Sequence, residues 1–332
     1  MPSETVAPLI AIVGPTGSGK SDLALRLARL LDGEIVNCDS LQVYRHFDAG
    51  TAKLPAEERG GTPHHLIDVV DPGDVFTAGD YARLSRHALE EITVRGRLPL
   101  IVGGTGFYLA TLLDGLAPGP VRDDGLRKRL QALEVRRTGA LHRLLRRFDP
   151  QTASRVHPND VQKLVRAVEI CLRARRPASD VFGQGRDSLA GYQVLKIGLD
   201  PDRAALYDRL NARADRMFRH GGLVEEVRSL LAAGYPPECK PFQSLGYKQA
   251  LRYLGAELSL DEAIESTQKE TRHYAKRQWT WFRRDPAVVW LQGFGSEAEI
   301  RGRALAISTG FLAEFTKMTF GSASPFLSAD RI

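Results

Sequence analysis

The chain has 332 residues, 26% of them charged, and a formal net charge of +6. Such a length suffices for one large α/β domain with a sizeable core and an appended module. No apolar run of about 18 residues or more is present, and the first residues lack the order of a signal peptide. The three cysteines lie far apart without metal-ligand spacing, which argues against a disulfide framework or a structural metal. The sequence therefore predicts a soluble, cytoplasmic protein without a membrane partner.

Positive charge is concentrated in the later part of the chain. Residues 1–121 contain 10 Lys and Arg against 15 Asp and Glu, whereas residues 122–332 contain 36 against 25. An asymmetry of this kind indicates a polyanionic partner, most often a nucleic acid, that is bound by the later segments. A basic surface without a partner stays open as the alternative.

A glycine-rich segment near the start carries the strongest motif. It consists of Gly14, Pro15, Thr16, Gly17, Ser18, Gly19, Lys20 and Ser21. An apolar run precedes it and a helical pattern follows, which is the context in which G-x-x-x-x-G-K-[ST] binds phosphate. Backbone N–H groups and the helix N-terminus surround an anion, Lys20 adds a full positive charge, and Ser21 can ligate Mg²⁺. We predict a site for a diphosphate or larger; the motif leaves open whether a phosphoryl group is transferred.

An acidic residue ends the second predicted strand, at residues 34–39. Ligands of an open parallel sheet gather at the carboxyl ends of its strands, so we expect Asp39 beside the phosphate loop. Two roles stay open for Asp39. It can order the shell of a Mg²⁺ ion, as in P-loop NTPases, or it can take a proton from an acceptor substrate. A plain surface carboxylate is the third possibility.

A second strand-to-glycine sequence occupies residues 98–108. Gly103 and Gly104 permit close approach of another molecule to the backbone, and Thr105 offers a hydroxyl group. We predict that this segment forms the second wall of the same pocket, with a simple tight turn as the alternative. Before it, residues 77–95 read as an amphipathic helix, and the polar segment 48–68 reads as a loop whose adjacent histidines have structural roles.

Composition changes at a proline- and glycine-rich boundary, residues 118–120, and residues 122–180 then hold 15 Lys and Arg against 7 Asp and Glu. The predicted fold is α/β: a P-loop NTPase-like parallel sheet flanked by helices, with an inserted helical domain. The predicted parts are a core at 1–120 and 191–315, an inserted helical domain at 121–190 whose basic faces favour contact with phosphate, and a disordered tail at 316–332.

Three later segments carry candidate anion contacts. A helix from residue 161 should bury Leu164 and Val168 and expose a face with Gln162, Arg166 and Glu169. A helix from residue 203 carries Arg209, Arg213 and Arg216, and an arginine returning to the pocket suits a leaving diphosphate because its planar fork binds phosphate oxygens bidentately. Residues 268–284 combine six basic residues with four aromatics, which suits a nucleic-acid backbone, although the aromatics fit a core equally well.

These motifs, in this order, resemble the bacterial tRNA dimethylallyltransferases, also called tRNA isopentenylpyrophosphate transferases, over nearly the whole chain. The most specific matches are the His-Pro-Asn-Asp block at 157–160 and the Lys-Arg-Gln-x-Thr-Trp block at 276–281. The other matching stretches are 14–21, Asp39-Ser40 with Tyr44, 48–53, 64–68, 103–105 with Tyr108, and 246–247.

The resemblance implies a reaction. Dimethylallyl diphosphate would donate its prenyl group to N6 of adenosine 37 in tRNAs that read codons beginning with U, and diphosphate would leave. Asp39 would be the general base, because an adenine amine is a poor nucleophile until it loses a proton. The family also implies Mg²⁺ as cofactor, a monomer, the tRNA anticodon stem-loop as partner, and no obligate protein partner.

The resemblance also implies roles for individual residues. The implied catalytic residues are Asp39, Lys20, Arg213 and Thr105, and the diphosphate or nucleotide site is the glycine-rich segment 14–21. The implied tRNA contacts are Asp39, Ser40, Leu41, Gln42, Thr105, Arg127, Gln162, Lys163, Arg166, Gln243, Gly246, Tyr247, Lys248, Lys276 and Arg277. Two positions depart from the family: Gly17, where alanine is frequent, and Lys248, where arginine is frequent and would allow a bidentate contact.

Three other functions compete with this one. A P-loop kinase of a nucleoside or small metabolite would consume ATP, whereas the transferase would consume no nucleotide triphosphate. A nucleotide-gated RNA-binding module would tolerate loss of Asp39. An adenylate prenyltransferase acting on free nucleotides has no need of the extended cationic surface that the basic insertion and residues 276–284 provide.

Overall fold

A computed structural model describes residues 6–320 of the chain, with side chains described to residue 318. The described residues form two compact units, one from 6–112 with 189–320 and the other from Leu113–Ser188. The sequence placed the corresponding insertion at 121–190. The observed second unit starts earlier because it includes the end of the helix that follows the second glycine loop.

A six-stranded parallel sheet forms the centre of the first unit, as the sequence predicted. The strands lie in the order β3-β2-β4-β1-β5-β6. Their bounds are β1 Ala7–Val13, β2 Gly33–Asn37, β3 His64–His65, β4 Leu98–Val102, β5 Tyr192–Leu199 and β6 Val288–Leu291. Every pairing is parallel, so the carboxyl ends of all six strands lie on the same side of the sheet, called its carboxyl edge. The segments that follow β1, β2 and β4 therefore meet at that edge.

β3 is an element that the sequence did not predict. His64 and His65, expected in a loop, pair with Ile35 and Val36 of β2 at the edge of the sheet. His65 also bonds through Nε2 to a carboxylate oxygen of Glu34 at 2.7 Å. Tertiary pairing overrides the polar local pattern here, since a strand of two residues carries almost no sequence signal.

The α-helices of the first unit pack on the sheet or on one another. They are α1 Lys20–Leu30, α2 Ala78–Val94 and α3 Gly106–Asp114, and later α9 Arg203–Arg219, α10 Leu223–Ala232, α11 Tyr247–Leu254, α12 Leu260–Phe282 and α13 Ala298–Phe320. α2 confirms the predicted amphipathic helix: Thr77 and Asp80 form a reciprocal capping box at its start, and Tyr81 and Ile92 are buried.

α13 differs from its prediction. The sequence predicts a core that ends at residue 315 and a disordered tail from 316, whereas α13 runs from Ala298 to Phe320. Leu312 and Phe315 are buried, so packing against the core extends the helix past the predicted end. The rest of the predicted tail, residues 321–332, lies outside the described residues. Among residues 6–320, no helix combines the length and the apolar character that crossing a bilayer requires.

The second unit is helical, as predicted. Its helices are α4 Asp124–Arg136, α5 Ala140–Phe148, α6 Pro150–Arg155, α7 Val161–Ala174 and α8 Ala178–Phe182. Leu141, Leu145, Leu164 and Val168 pack in its core. Asp160 caps α7 by accepting a hydrogen bond from the Lys163 amide, which explains why the helix begins directly after the His-Pro-Asn-Asp block.

Candidate active site

A cavity of about 600 Å³ opens at the carboxyl edge of the sheet in the first unit. Its wall combines the three segments that follow β1, β2 and β4 with residues of α9 and α12. The polar lining residues include Thr16, Gly17, Gly19, Lys20, Ser21, Asp39, Gln42, Gly103, Gly104, Arg209, Arg213, Arg216 and Gln278. The phosphate loop, Asp39, the second glycine loop and Arg213, which the sequence placed in one pocket, thus line the same cavity.

The phosphate loop has the conformation that its glycines permit. Gly17 and Gly19 have φ values of +80° and +87°, a region that residues with a Cβ rarely adopt. A Cβ at Gly19 would also lie 3.0 Å from the amide nitrogen of Gly295, and that amide donates to the Ser18 carbonyl at 2.9 Å. The segment around Gly295 therefore supports the loop from outside the cavity, a contact that no sequence motif indicated.

Lys20 and Arg213 are cations in a poorly solvated wall. Burial lowers the pKa of Lys20 from 10.5 to about 8; Asp39 opposes this shift and Arg213 adds to it. Burial likewise lowers the pKa of Arg213, with Asp39 opposing and the neighbouring Arg209 and Arg216 contributing. Lys20 Nζ donates to the Pro15 carbonyl at 2.7 Å. An anion entering the cavity would relieve this repulsion between like charges.

Asp39 is held by a tight turn at the end of β2. Its Oδ1 accepts hydrogen bonds from the amides of Leu41 (2.8 Å) and Gln42 (3.4 Å). The Ser40 amide donates to Oγ1 of Thr105 at 3.1 Å. Thr105 therefore connects the turn that carries Asp39 to the second glycine loop.

The second glycine loop approaches the end of β2 closely. A Cβ on Gly103 would lie 2.0 Å from the Cys38 carbonyl oxygen, so only glycine fits there. Gly103 and Gly104 both line the cavity, in agreement with the prediction of a second wall. Cys38 itself is buried behind this wall, and burial raises the pKa of its thiol to about 12.

An apolar region completes the cavity on the side of β2 and β3. Its lining residues are Ile35, Ala49, Ala52, Leu54, His64 and Ile67. Lys53 holds this wall together, since its ammonium group bonds to Asp48 at 2.5 Å and Asp68 at 2.6 Å while its side chain is 4% exposed. The lining of the cavity thus combines cations and loop amides with apolar side chains.

The sequence analysis did not single out Gln278. This α12 residue is 5% exposed, accepts a hydrogen bond from the Thr16 amide at 2.7 Å and donates to the Gly104 carbonyl at 2.8 Å. It was included in the Lys-Arg-Gln-x-Thr-Trp block, and the block was read mainly for its charge. The sequence signal that could have indicated Gln278 is an uncharged polar residue within a basic helix.

The predicted tRNA contacts of the first unit lie in different surroundings. Gln42 lines the cavity, and Lys276 and Arg277 are exposed on α12. Lys276 borders a second depression of about 300 Å³ that shares no lining residue with the cavity. Lys248 forms an ion pair with Glu270 and is about a third exposed.

Tyr247 differs from its prediction as a tRNA contact. Its side chain is fully buried, its hydroxyl donates to Glu226 at 2.5 Å, and that hydroxyl accepts from the Gly50 amide at 3.1 Å. Burial raises the pKa of Tyr247 above its ordinary value. In this structure Tyr247 anchors the 48–53 loop, because an aromatic ring at the start of α11 is drawn into the core.

In the second unit, one prediction for α7 is wrong. Glu169, expected on the solvated face, is fully buried between Arg127 and Arg166. Burial alone would raise the pKa of Glu169, but hydrogen bonds from Arg127, the Asp123 amide and Arg166 outweigh it and lower the pKa to about 2. Arg127 and Arg166 therefore have a carboxylate partner within their own unit. Gln162 and Lys163 are exposed, as expected.

The donor set at the phosphate loop fits Mg²⁺ bound mainly through a substrate. Ser21 and Asp39 line the same cavity, and the described residues contain no cluster of three or more His, Cys, Asp or Glu that could hold a metal alone. Mg²⁺ usually keeps several waters and takes one or two protein oxygens together with substrate phosphates. One hydroxyl and one carboxylate beside an anion site satisfy that pattern.

Fold and site together define a class: a P-loop protein whose cavity combines a polyphosphate cradle, an acid and an apolar wall. Comparison with known proteins then identifies the family. A family model described as IPP transferase matches residues 42–285, and the chain belongs to this family. This confirms the resemblance on which the sequence analysis relied.

Relatives match over most of the chain. The tRNA dimethylallyltransferase of Solibacter usitatus is 60% identical over 307 residues, covering 92% of this chain and 100% of the relative. That of Koribacter versatilis is 53% identical over 300 residues, covering 90% and 97%.

Solved structures of related transferases have the same fold. The full-length tRNA isopentenylpyrophosphate transferase of Bacillus halodurans superposes with a TM-score of 0.70 at 37% identity, covering 94% of this chain and 98% of that one. A eukaryotic dimethylallyltransferase, crystallised in snapshots of its action on tRNA, gives a TM-score of 0.75 at 28% identity, covering 97% and 86%. The predicted P-loop-like α/β fold is therefore confirmed.

Proposed function

We propose that this protein is a tRNA prenyltransferase that moves a dimethylallyl group from dimethylallyl diphosphate to N6 of adenosine 37, in tRNAs that read codons beginning with U. The observation that carries the proposal is that an acid and a polyphosphate cradle line one cavity in a chain of the IPP transferase family. Family membership and relatives that are tRNA dimethylallyltransferases support transfer over the kinase alternative.

The cationic end of the cavity receives the diphosphate. As the bond between the allylic carbon and the diphosphate oxygen breaks, negative charge grows on the leaving group. The loop amides, Lys20 and Arg213 stabilise that charge, and they do so strongly because the wall is poorly solvated. Mg²⁺, held by Ser21 and the phosphate oxygens, would supply further neutralisation of the same charge.

Asp39 acts on the adenine amine in this reaction. When N6 attacks the allylic carbon, a new carbon–nitrogen bond forms and the amine must lose a proton, which the Asp39 carboxylate accepts. Since Oδ1 is occupied by two backbone amides, Oδ2 is the oxygen available for this proton. The adenine of the tRNA must leave the stacked anticodon loop to reach the cavity, as in other enzymes that act on a nucleobase.

The apolar wall suits the prenyl chain. Ala49, Ala52 and Leu54 line the cavity, and their small or branched side chains can pack around a five-carbon group. The protein would act as a cytoplasmic monomer on the anticodon stem-loop, without an obligate protein partner. Gel filtration with light scattering, with and without tRNA, tests that stoichiometry.

The decisive experiment is incubation of the protein with labelled dimethylallyl diphosphate and unmodified tRNA, without ATP, followed by mapping of the labelled base. We expect label on adenosine 37 and none on a matched tRNA that carries guanosine there. Transfer of label to free adenosine nucleotides alone would refute the tRNA assignment. A requirement for ATP turnover would instead support the kinase alternative.

A further inference from the structure

One face of α12 contacts the second glycine loop at two residues. Gln278 and Trp281 lie three residues apart on the helix, so they share this face. Gln278 Nε2 donates to the Gly104 carbonyl at 2.8 Å. A Cβ on Gly106 would lie 2.2 Å from Cδ1 of Trp281, so the indole ring packs directly against that glycine. α12 therefore holds this loop at Gly104 and at Gly106.

Gln278 makes the contact that links this loop to the phosphate loop. Its Oε1 accepts from the Thr16 amide at 2.7 Å, and its Nε2 donates to the Gly104 carbonyl at 2.8 Å. The two partners fix the orientation of the amide, since an N–H must face oxygen and a carbonyl must face nitrogen. A Cβ on Gly104 would lie 2.1 Å from Nε2, so the glycine leaves the space that Gln278 occupies.

A hydrogen-bonded path then runs from the cradle to the acid. It begins at Thr16 in the phosphate loop, crosses the Gln278 amide to Gly104, continues through Thr105, and ends at the Ser40 amide beside Asp39. Gln278 is the one side chain in this path that belongs to neither loop. Gln278 therefore adds a side-chain link between the cradle and the turn that carries the carboxylate, beside the backbone bonds that join the ends of β1, β4 and β2.

We propose that Gln278 is a positioning residue, whose side-chain amide fixes the distance between the leaving-group cradle and Asp39. This inference rests on the proposed prenyl transfer. No other common side chain of this length replaces it: methionine has the length without either strong hydrogen bond, and an ionised glutamate would set a carboxylate oxygen against the Gly104 carbonyl. Displacement of catalytic groups by about 1 Å can lower a rate by about 10²-fold.

The test uses the full chain with dimethylallyl diphosphate and unmodified tRNA. For Gln278→Met we expect kcat to fall by about 10- to 100-fold, while the dissociation constant for tRNA changes by less than about threefold. For Gln278→Glu we expect low activity at neutral pH and a rise relative to the wild type as the pH falls. A protonated carboxyl group can accept from Thr16 and donate to Gly104 as the amide does, and burial raises the pKa of such a group.

Gln268→Glu is the matched control. Gln268 lies on the same helix, its Nε2 donates to the Asn211 carbonyl at 3.2 Å, and it does not line the cavity. We expect wild-type kcat and the wild-type pH profile. The pH-dependent recovery of Gln278→Glu separates positioning from a folding defect, because one folded protein is compared at two pH values; it decides the matter even if Gln278→Met does not fold.

Wild-type kcat in Gln278→Met, or a flat activity ratio between Gln278→Glu and the wild type across pH, would refute the role of Gln278 while leaving the proposed function intact. An equal loss of tRNA affinity and kcat would also refute it, since the residue would then act on tRNA binding. Absence of transfer by the wild-type protein would refute the proposed function and this role with it.

Discussion

In the described part of the chain, the cations of the cavity have no carboxylate in an ion pair with them, whereas two cations of the helical unit share a buried carboxylate. Within residues 6–320, Lys20, Arg209, Arg213 and Arg216 line the cavity without an ion pair to any carboxylate, and burial lowers the pKa values of Lys20 and Arg213. In the second unit, by contrast, Arg127 and Arg166 share the buried carboxylate of Glu169.

This difference separates ligand binding from structure. Lys20 and Arg213, which are unpaired among the described residues and lie in a poorly solvated wall, are stabilised by an incoming anion, so their arrangement serves a ligand. Cations around a buried carboxylate already have their partner, and they satisfy a charge that would otherwise be unpaired in a core. A count of basic residues in the sequence cannot distinguish the two cases, because it contains no information on which carboxylate reaches which cation.

Replacement of Asp39 gives the largest expected effect. Asp39 attracts Lys20 and Arg213 without forming an ion pair with them, and in Asp39→Asn the amide oxygen can still accept from the Leu41 amide. We expect kcat for prenyl transfer to fall by about 10²- to 10⁴-fold, the range for loss of a general base. Affinity for tRNA, measured by filter binding, is expected to stay within a few-fold. A collapse of binding together with activity would show that Asp39 is structural.

Replacement of Glu169 tests the structural role of the paired cations in the second unit. Glu169→Gln leaves two guanidinium groups without their buried partner, so the free energy of unfolding, measured in denaturant, is expected to fall by about 3–5 kcal/mol. The pKa of Glu169 is lowered from 4.5 to about 2, so its stabilisation is present above pH 4.5 and is lost as the pH falls toward 2. That acid-dependent component should be absent from the variant. Glu299→Gln, in the exposed pair with Arg303, is the control and should change little.

The pH dependence of dimethylallyl diphosphate binding tests whether Lys20 is an unpaired cation that serves the ligand. Its pKa is lowered to about 8, so the protonated fraction decreases as the pH rises through that value. The affinity for dimethylallyl diphosphate, measured by calorimetry, should therefore fall above pH 8 by up to about tenfold per pH unit. Stability moves in the opposite direction, because the unfolded chain binds the extra proton between pH 8 and 10.5. Lys20→Met should bind weakly without this pH dependence; an unchanged profile would show that another group titrates.

The smallest expected effect concerns the salt dependence of tRNA binding. Lys276 is exposed and has no carboxylate partner among the described residues, so Lys276→Ala should reduce the slope of log K against log salt by about 0.7 to 0.9. Arg166→Gln should change the slope less, because Glu169 already shares that charge. Arg303→Ala controls for loss of one positive charge elsewhere. Equal slope changes at 166 and 276 would contradict the distinction between paired and unpaired cations.

Much of the site was predictable because its parts have local signatures. The phosphate loop has a fixed spacing between a strand and a helix, and strand-end position sufficed to place Asp39 and Gly103 in one pocket. Periodicity correctly gave α2 and the inward face of α7. The errors have the same origin: Glu169, Tyr247 and β3 depend on partners that are distant in sequence, and such partners leave no local pattern.

The sequence by itself determined the parallel α/β class, the phosphate loop and its neighbouring acid, because the order of strand, loop and helix, the glycine spacing and the strand-end position are short-range patterns. Only the tertiary structure decided which charges are free and which are paired, and it alone joined Thr16 to Gly104 through Gln278, 262 residues further along the chain from Thr16. The physical reason is that burial and hydrogen bonding depend on distances through space, and these are fixed only when the helices pack on the sheet.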